Sequence, residues 1–175
     1  MDTLLLIVSL VLLSLLLVGT FIFVQFRGYR NDLNLEWFSL LEKLNIRLDK
    51  IPSLIEIMKK KGVVNNKLFK EVIESRRLSW SILDDIPKKV HADLKISNLL
   101  HQLWEYCGQS ESIQKSVGFL SIQSQFKKIN REIEALTDDY NSNVRKYNKK
   151  IDLPVLSAYL RLFGFKHRSI FEFEA

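Results

Sequence analysis

Six glycines and three prolines are all that punctuate these 175 residues, and no stretch alternates apolar and polar residues with a period of two. That scarcity disfavours a sheet built from many short strands and favours long helices. One cysteine, Cys107, excludes an internal disulfide framework and a cysteine-rich metal knuckle. Its expected place is a small core position near a helix end. The three histidines are His91, His101 and His167. His101 and Glu105 share a helix face at a spacing of four, but no third ligand stands nearby, so no metal site is expected. No glycine-rich phosphate loop and no nucleophile elbow around a serine is present. Asp84-Asp85 and Asp138-Asp139 are adjacent pairs; neighbours on a helix point about 100° apart, which suits solvated charges better than an acid/base dyad. The expectation is therefore no enzyme, no catalytic residue, no cofactor and no metal.

What the chain has in quantity is apolar sequence and positive charge. Leu4 to Phe26 carries no charged residue, with nine leucines between Leu4 and Leu17. At ~1.5 Å per residue this stretch spans roughly 35 Å, enough for the hydrocarbon core of a bilayer with some tilt. A cleavable signal peptide would want a basic start, a shorter apolar block and small residues before the cut. Here Met1-Asp2-Thr3 opens the chain and Gly19-Thr20 runs straight into Phe21-Ile22-Phe23-Val24. A retained single transmembrane helix is expected. Asp2 precedes the span, while Arg27, Arg30, Lys43 and Arg47 follow it, so the positive-inside tendency leaves the N-terminus outside and the rest in the cytoplasm. The whole chain has 26 Lys and Arg against 20 Asp and Glu, a net charge of +6. That excess favours an anionic neighbour.

Two long apolar stripes organise the remainder. Trp37, Leu41, Leu44, Leu48, Ile51, Ile55 and Met58 repeat in steps of four and three, a heptad-like pattern that stays in phase across Pro52. Phe119, Ile122, Phe126, Ile129, Ile133, Leu136, Tyr140, Val144, Tyr147 and Ile151 do the same over about 33 residues. The first stripe can be capped by Asp32 or Asn34 and ends at Lys59-Lys60-Lys61-Gly62. A second helix is expected from Asn65 or Asn66 to Gly108, with a kink or short break at Pro87. Leu153-Pro154 stops the third helix, a short final helix follows, and the tail from Gly164 is expected to be less ordered. The fold class is all-α: an N-terminal transmembrane helix (1–30), an elongated antiparallel bundle of about three long helices plus a short C-terminal helix (31–165), and a tail (166–175).

Two sets of residues are candidates for function. Asn141 and Asn148, seven apart beside Tyr140 and Tyr147, lie on one helix face. Their expected role is to fix register by hydrogen bonding across the bundle, and the sharper alternative is a ligand or partner site. Lys127, Lys128, Arg131, Arg145, Lys149, Lys166 and Arg168 make the C-terminal half basic. The nearby aromatics belong to the apolar stripe rather than standing among the charges, which argues against nucleic acid. An anionic leaflet suits them better than nucleic acid does, each basic residue near it contributing about 1 kcal/mol, but the leading reading is a simply solvated helix face.

Several segments together resemble the LemA family. They are Trp37, the run Arg47-Leu48-Asp49-Lys50-Ile51-Pro52-Ser53-Leu54-Ile55, then Val72, Arg76, Phe119 and Gln123. The closing part carries more of the likeness: Tyr140-Asn141, Val144, Tyr147-Asn148, Ile151, Pro154, Phe163-Gly164-Phe165-Lys166 and Phe171-Glu172. The resemblance implies a bacterial inner-membrane protein with a short outer N-terminus and a cytoplasmic helical bundle. It supplies no activity, but the association of some branches with membrane compartments implies a scaffold that binds an unidentified protein partner, with direct membrane organisation as the alternative. Departures from the family pattern stand at Val64-Asn65, where His-Glu is common, at Asn130 in place of Glu, and at Thr137 in place of Arg. They remove charges that would pair between helices.

Overall fold

The computed structural model describes residues 2–174. Among them every regular element is helical: α1 (Asp2–Lys60), α2 (Asn66–Trp80), α3 (Ile86–Gly108), α4 (Glu111–Gln114), α5 (Val117–Ile151) and α6 (Pro154–Leu162). The chain divides into two compact units, one of Met1–Leu35 with Asn143–Arg168, the other of Glu36–Ser142 with Ser169–Ala175.

The apolar segment and the first stripe are one uninterrupted helix, α1, so Asp32 and Asn34 are interior residues and cap nothing. The reason is local. Between Phe26 and Glu36 Gly28 is the one glycine and no proline forces an exit. Pro52 is likewise carried inside α1. The expected stop at Lys59–Gly62 is built as a Schellman turn. Gly62 has φ +78°, Gly62 N–H donates to Lys59 O at 3.1 Å, and Val63 N–H donates to Met58 O at 3.0 Å.

In the unit of Glu36–Ser142 and Ser169–Ala175, the expected second helix is two. The Asn65 side chain caps α2 through Leu68 N–H at 3.0 Å. The Asp85 side chain caps α3 through Lys88 N–H at 3.1 Å. Pro87 sits in the first turn of α3, where a missing N–H costs no helical hydrogen bond, so it starts a helix rather than kinking one. α2 and α3 run antiparallel, since Ser79 meets Lys89 at one end and Glu71 meets Lys95 at the other. α1 and α5 are also antiparallel here, with Trp37 on Tyr140 and Lys43 on Glu132.

The two stripes are the core. Leu48, Ile51, Ile55 and Met58 from α1 pack with Phe119, Ile122 and Phe126 from α5 and with Ile96, Leu100 and Leu103 from α3. Each such side chain contributes roughly 1.5–3 kcal/mol by leaving water. Cys107 is fully buried in this core, and burial pushes its thiol up to about 11.

The unit of Met1–Leu35 and Asn143–Arg168 is built around Phe26, whose ring meets those of Tyr29, Tyr147 and Phe165 at 5.8, 6.2 and 5.8 Å. A second Schellman turn ends α6. Gly164 has φ +76°, Gly164 N–H reaches Arg161 O and Phe165 N–H reaches Leu160 O, both at 3.0 Å. Leu160 and Phe165 are buried together beneath it. Gly164 thus directs the chain into a packed tail in place of the looser one expected from the sequence, because Phe165 and Phe171 each bury a ring.

Candidate functional site

Among the described residues three features carry chemistry or contact, and every contact given for them lies within one unit. The first is the apolar segment of α1. Leu4, Leu5, Leu6, Ile7, Leu10, Leu12 and their neighbours up to Val18 are exposed. Over the most apolar eighteen-residue window mean hydropathy is 2.9 and none of it is buried. The same unit holds nine Lys and Arg against three Asp, a balance of +6 that equals the excess of the whole chain. The other unit holds seventeen residues of each sign.

The second feature is the set of Tyr-Asn pairs, which bind the backbone of the tail instead of a facing helix. Asn141 donates from Nδ2 to Phe171 O at 2.7 Å and accepts from Phe171 N–H at 2.8 Å. Tyr140 donates to Ser169 O at 3.1 Å, and its ring packs on Trp37. In the other unit Asn148 repeats the pattern, donating to Arg168 O at 2.8 Å and accepting from Arg168 N–H at 2.9 Å. Tyr147 is buried against Phe26. Burial raises its phenol pKa, with Arg168 and Arg30 acting the other way. A carboxamide offers one donor and one acceptor in a plane, which is what an extended peptide unit needs from a side chain.

The basic residues separate by unit. Lys127, Lys128 and Arg131 are exposed on the part of α5 that belongs to the charge-balanced unit, and Lys128 lies 4.0 Å from Glu132. Arg145, Lys149 and Lys166 are exposed in the basic unit. Lys166 lines an open hollow with Ile151, Arg161, Phe165 and His167. Arg168 is turned inward, its guanidinium donating to the Asn34 side chain. His167 meets Asp152 at 2.9 Å, and His101 lies 3.5 Å from Glu105 on an exposed face of α3.

The third feature is one that the sequence reading passed over: a buried polar cluster in the unit of Glu36–Ser142. Arg47, Lys89 and Asp93 are at most 1% exposed. Arg47 donates from Nη2 to Asp93 Oδ1 and to Ser97 Oγ, both at 3.1 Å. Lys89 Nζ donates to Ser79 O at 2.8 Å and to Ser79 Oγ at 3.2 Å. Burial lowers the Lys89 pKa to about 8, with Asp93 opposing and Arg47 reinforcing the shift. Burial also depresses Arg47 and raises Asp93, against the attraction between them. The tail covers this cluster: Phe173 lies 4.9 Å beneath the Arg47 guanidinium, and Glu174 O accepts from Ser97 at 2.6 Å. A readable signal existed, since Lys89 and Asp93 occupy the apolar stripe of α3 between Ile86 and Ile96.

These observations define an all-helical protein whose basic unit carries an exposed apolar helix long enough to cross a membrane. A sequence model of the LemA family matches residues 36–175. The chain belongs to the LemA family. A comparison with curated proteins found no match.

Proposed function

We propose that this LemA-family protein is a membrane-anchored scaffold of the bacterial inner membrane. α1 would cross the bilayer once, with a short outer N-terminus, and the helical bundle would bind a partner protein in the cytoplasm without catalysing a reaction. The observation that carries the reading is the segment up to Val18, apolar and wholly exposed. A helix that is apolar all round and exposed is suited to lipid. Arg27 and Arg30 follow it and support the orientation. The test is a pair of reporters fused after Ala175, one active only in the cytoplasm and one only outside it, combined with alkaline extraction of membranes. Cytoplasmic activity with retention in the extracted pellet is expected. Release into the supernatant, or activity only outside, would sink the reading.

A second reading, direct organisation of the membrane through a basic face, is favoured by the confinement of the net charge to the unit that carries the apolar helix. Its contacts would be Arg145, Lys149 and Lys166 rather than Lys127, Lys128 and Arg131. Replacing the first three by Gln should reduce the enrichment of phosphatidylglycerol around the full chain in mixed vesicles, and raised salt should have the same effect. Equal loss from the second trio would argue against it.

A further inference from the structure

α6 lies alongside the end of the apolar segment. The Tyr159 hydroxyl donates to Gly19 O at 2.6 Å, and the Phe163 ring meets Phe23 at 5.6 Å. Both helices advance by four residues between these contacts, so α6 follows α1 in the same direction. The approach is close at Gly19, where a Cβ would stand 3.2 Å from the Tyr159 hydroxyl. Gly19 is eight residues before Arg27, the first charge after the apolar segment, or ~12 Å along the helix. α6 has an uncharged stretch of its own. From Leu153 to Leu160 it carries no charge, and Asp152 and Arg161 bound the uncharged stretch.

Exposed apolar side chains stand on and beside α6 as well. Leu162 is 83% exposed, and Leu153 and Phe163 are each 47% exposed. They belong to the unit that carries the exposed apolar segment of α1. Arg161 and Lys166 stand exposed at the end where α6 leaves that surface. Long basic side chains there can reach headgroups while their stems stay among acyl chains. Tyr159, with a polar tip on an apolar ring, is suited to the same boundary.

The geometry points to α6 as a lipid-embedded wedge: a short helix inserted into the leaflet where α1 emerges, with Leu153, Leu162 and Phe163 against acyl chains and Arg161 and Lys166 at anionic headgroups. This rests on the membrane-anchored reading above and adds a second, monotopic contact with the bilayer. The test places the photoreactive residue benzoylphenylalanine at Leu162, at Leu12 in the span, or at Leu78, which is 59% exposed in the other unit. Each full-length variant is irradiated in vesicles of phosphatidylglycerol and phosphatidylethanolamine, and lipid adducts are located by mass spectrometry. Acyl-chain adducts are expected from positions 12 and 162, several-fold above position 78. Adducts at 12 with none above the level of 78 at 162, or at 162 only on headgroups, overturn the wedge and leave the span standing. No adduct at 12 overturns the anchored reading itself.

Discussion

Replacing Asn141 by Ala removes both hydrogen bonds that seat Phe171, at 2.7 and 2.8 Å, from a place where Asn141 is 8% and Phe171 0% exposed. Two responses are open to the protein. If the tail stays docked, a backbone N–H and a C=O lose their partners in a dry site, at about 1–3 kcal/mol each. If the tail lets go, the Phe171 ring returns to water for about 1.5–3 kcal/mol. Release also breaks its contact with Trp37 and the bond from Tyr140 to Ser169 O, although chain entropy is regained. The cheaper response sets the cost, about 2–3 kcal/mol. For a chain of this size that lowers Tm by roughly 4–12 °C, at about 2–4 °C per kcal/mol. The assay is thermal unfolding of the full chain in detergent together with brief chymotrypsin digestion, which reports access to Phe171 and Phe173. Asn141→Asp keeps an acceptor for Phe171 N–H but turns a carboxylate toward Phe171 O, so it should be no milder than Ala. A variant with unchanged Tm and an equally protected tail would show that the carboxamide is not what seats this segment.

Two further outcomes follow from the buried cluster. Lys89 has a folded pKa of about 8 against about 10.5 unfolded, so between those values the unfolded chain binds more protons and stability rises with pH. The wild type should gain up to about 3 kcal/mol over that window relative to Lys89→Met, measured by urea unfolding at fixed salt, and parallel curves would refute the depressed lysine. Asn130 Oδ1 and Arg47 Nε are buried without a hydrogen-bond partner, and both residues line a cavity of about 40 Å³. Asn130→Glu places there a carboxylate that balances the second cation of the Arg47–Lys89–Asp93 cluster, so it should stabilise by about 1–2 kcal/mol. Asn130→Gln, the neutral control of the same length, should not, and equal behaviour of the two would remove charge from the explanation.

The long stripes of α1 and α5 were legible because seven and ten apolar residues in steps of three and four leave little choice of face. What followed from distant partners was not. The periodicity around Pro87 is local and reads the same for a kinked helix as for the hairpin of α2 and α3; the discriminating signal was Asp85 as a cap with Pro87 in the first turn. Asp32 and Asn34 looked like caps, but a cap needs a reason to break the helix, and the residues from Phe26 to Glu36 provide none. The tail is only a few residues of alternating Phe and Glu, too short to announce burial. Its order comes from Asn141, Asn148 and Ser97, residues 20 to 77 positions away along the chain. The Tyr-Asn pairs stand out in the sequence as a motif, while the hydrogen-bond partner of their asparagines, a peptide backbone near the C-terminus, was invisible to a search for facing helices.

The placement of charge bears on which partner the two units suit. Residues 1–35 hold two basic and two acidic groups, so the excess of +6 comes entirely from residues 143–168, with seven Lys and Arg and one Asp. Charge that served solubility alone would gain nothing from this concentration and would be better spread over both units. Concentrated beside the exposed apolar helix, it would suit a surface of anionic headgroups, which would offset the repulsion among the cations. The same reasoning separates the roles proposed for the two units. With seventeen charges of each sign, the unit of Glu36–Ser142 has no electrostatic reason to approach lipid, and its mixed surface is the one suited to a protein. The scaffold proposed above would need both kinds of surface on one chain, and this sequence assigns them to different units.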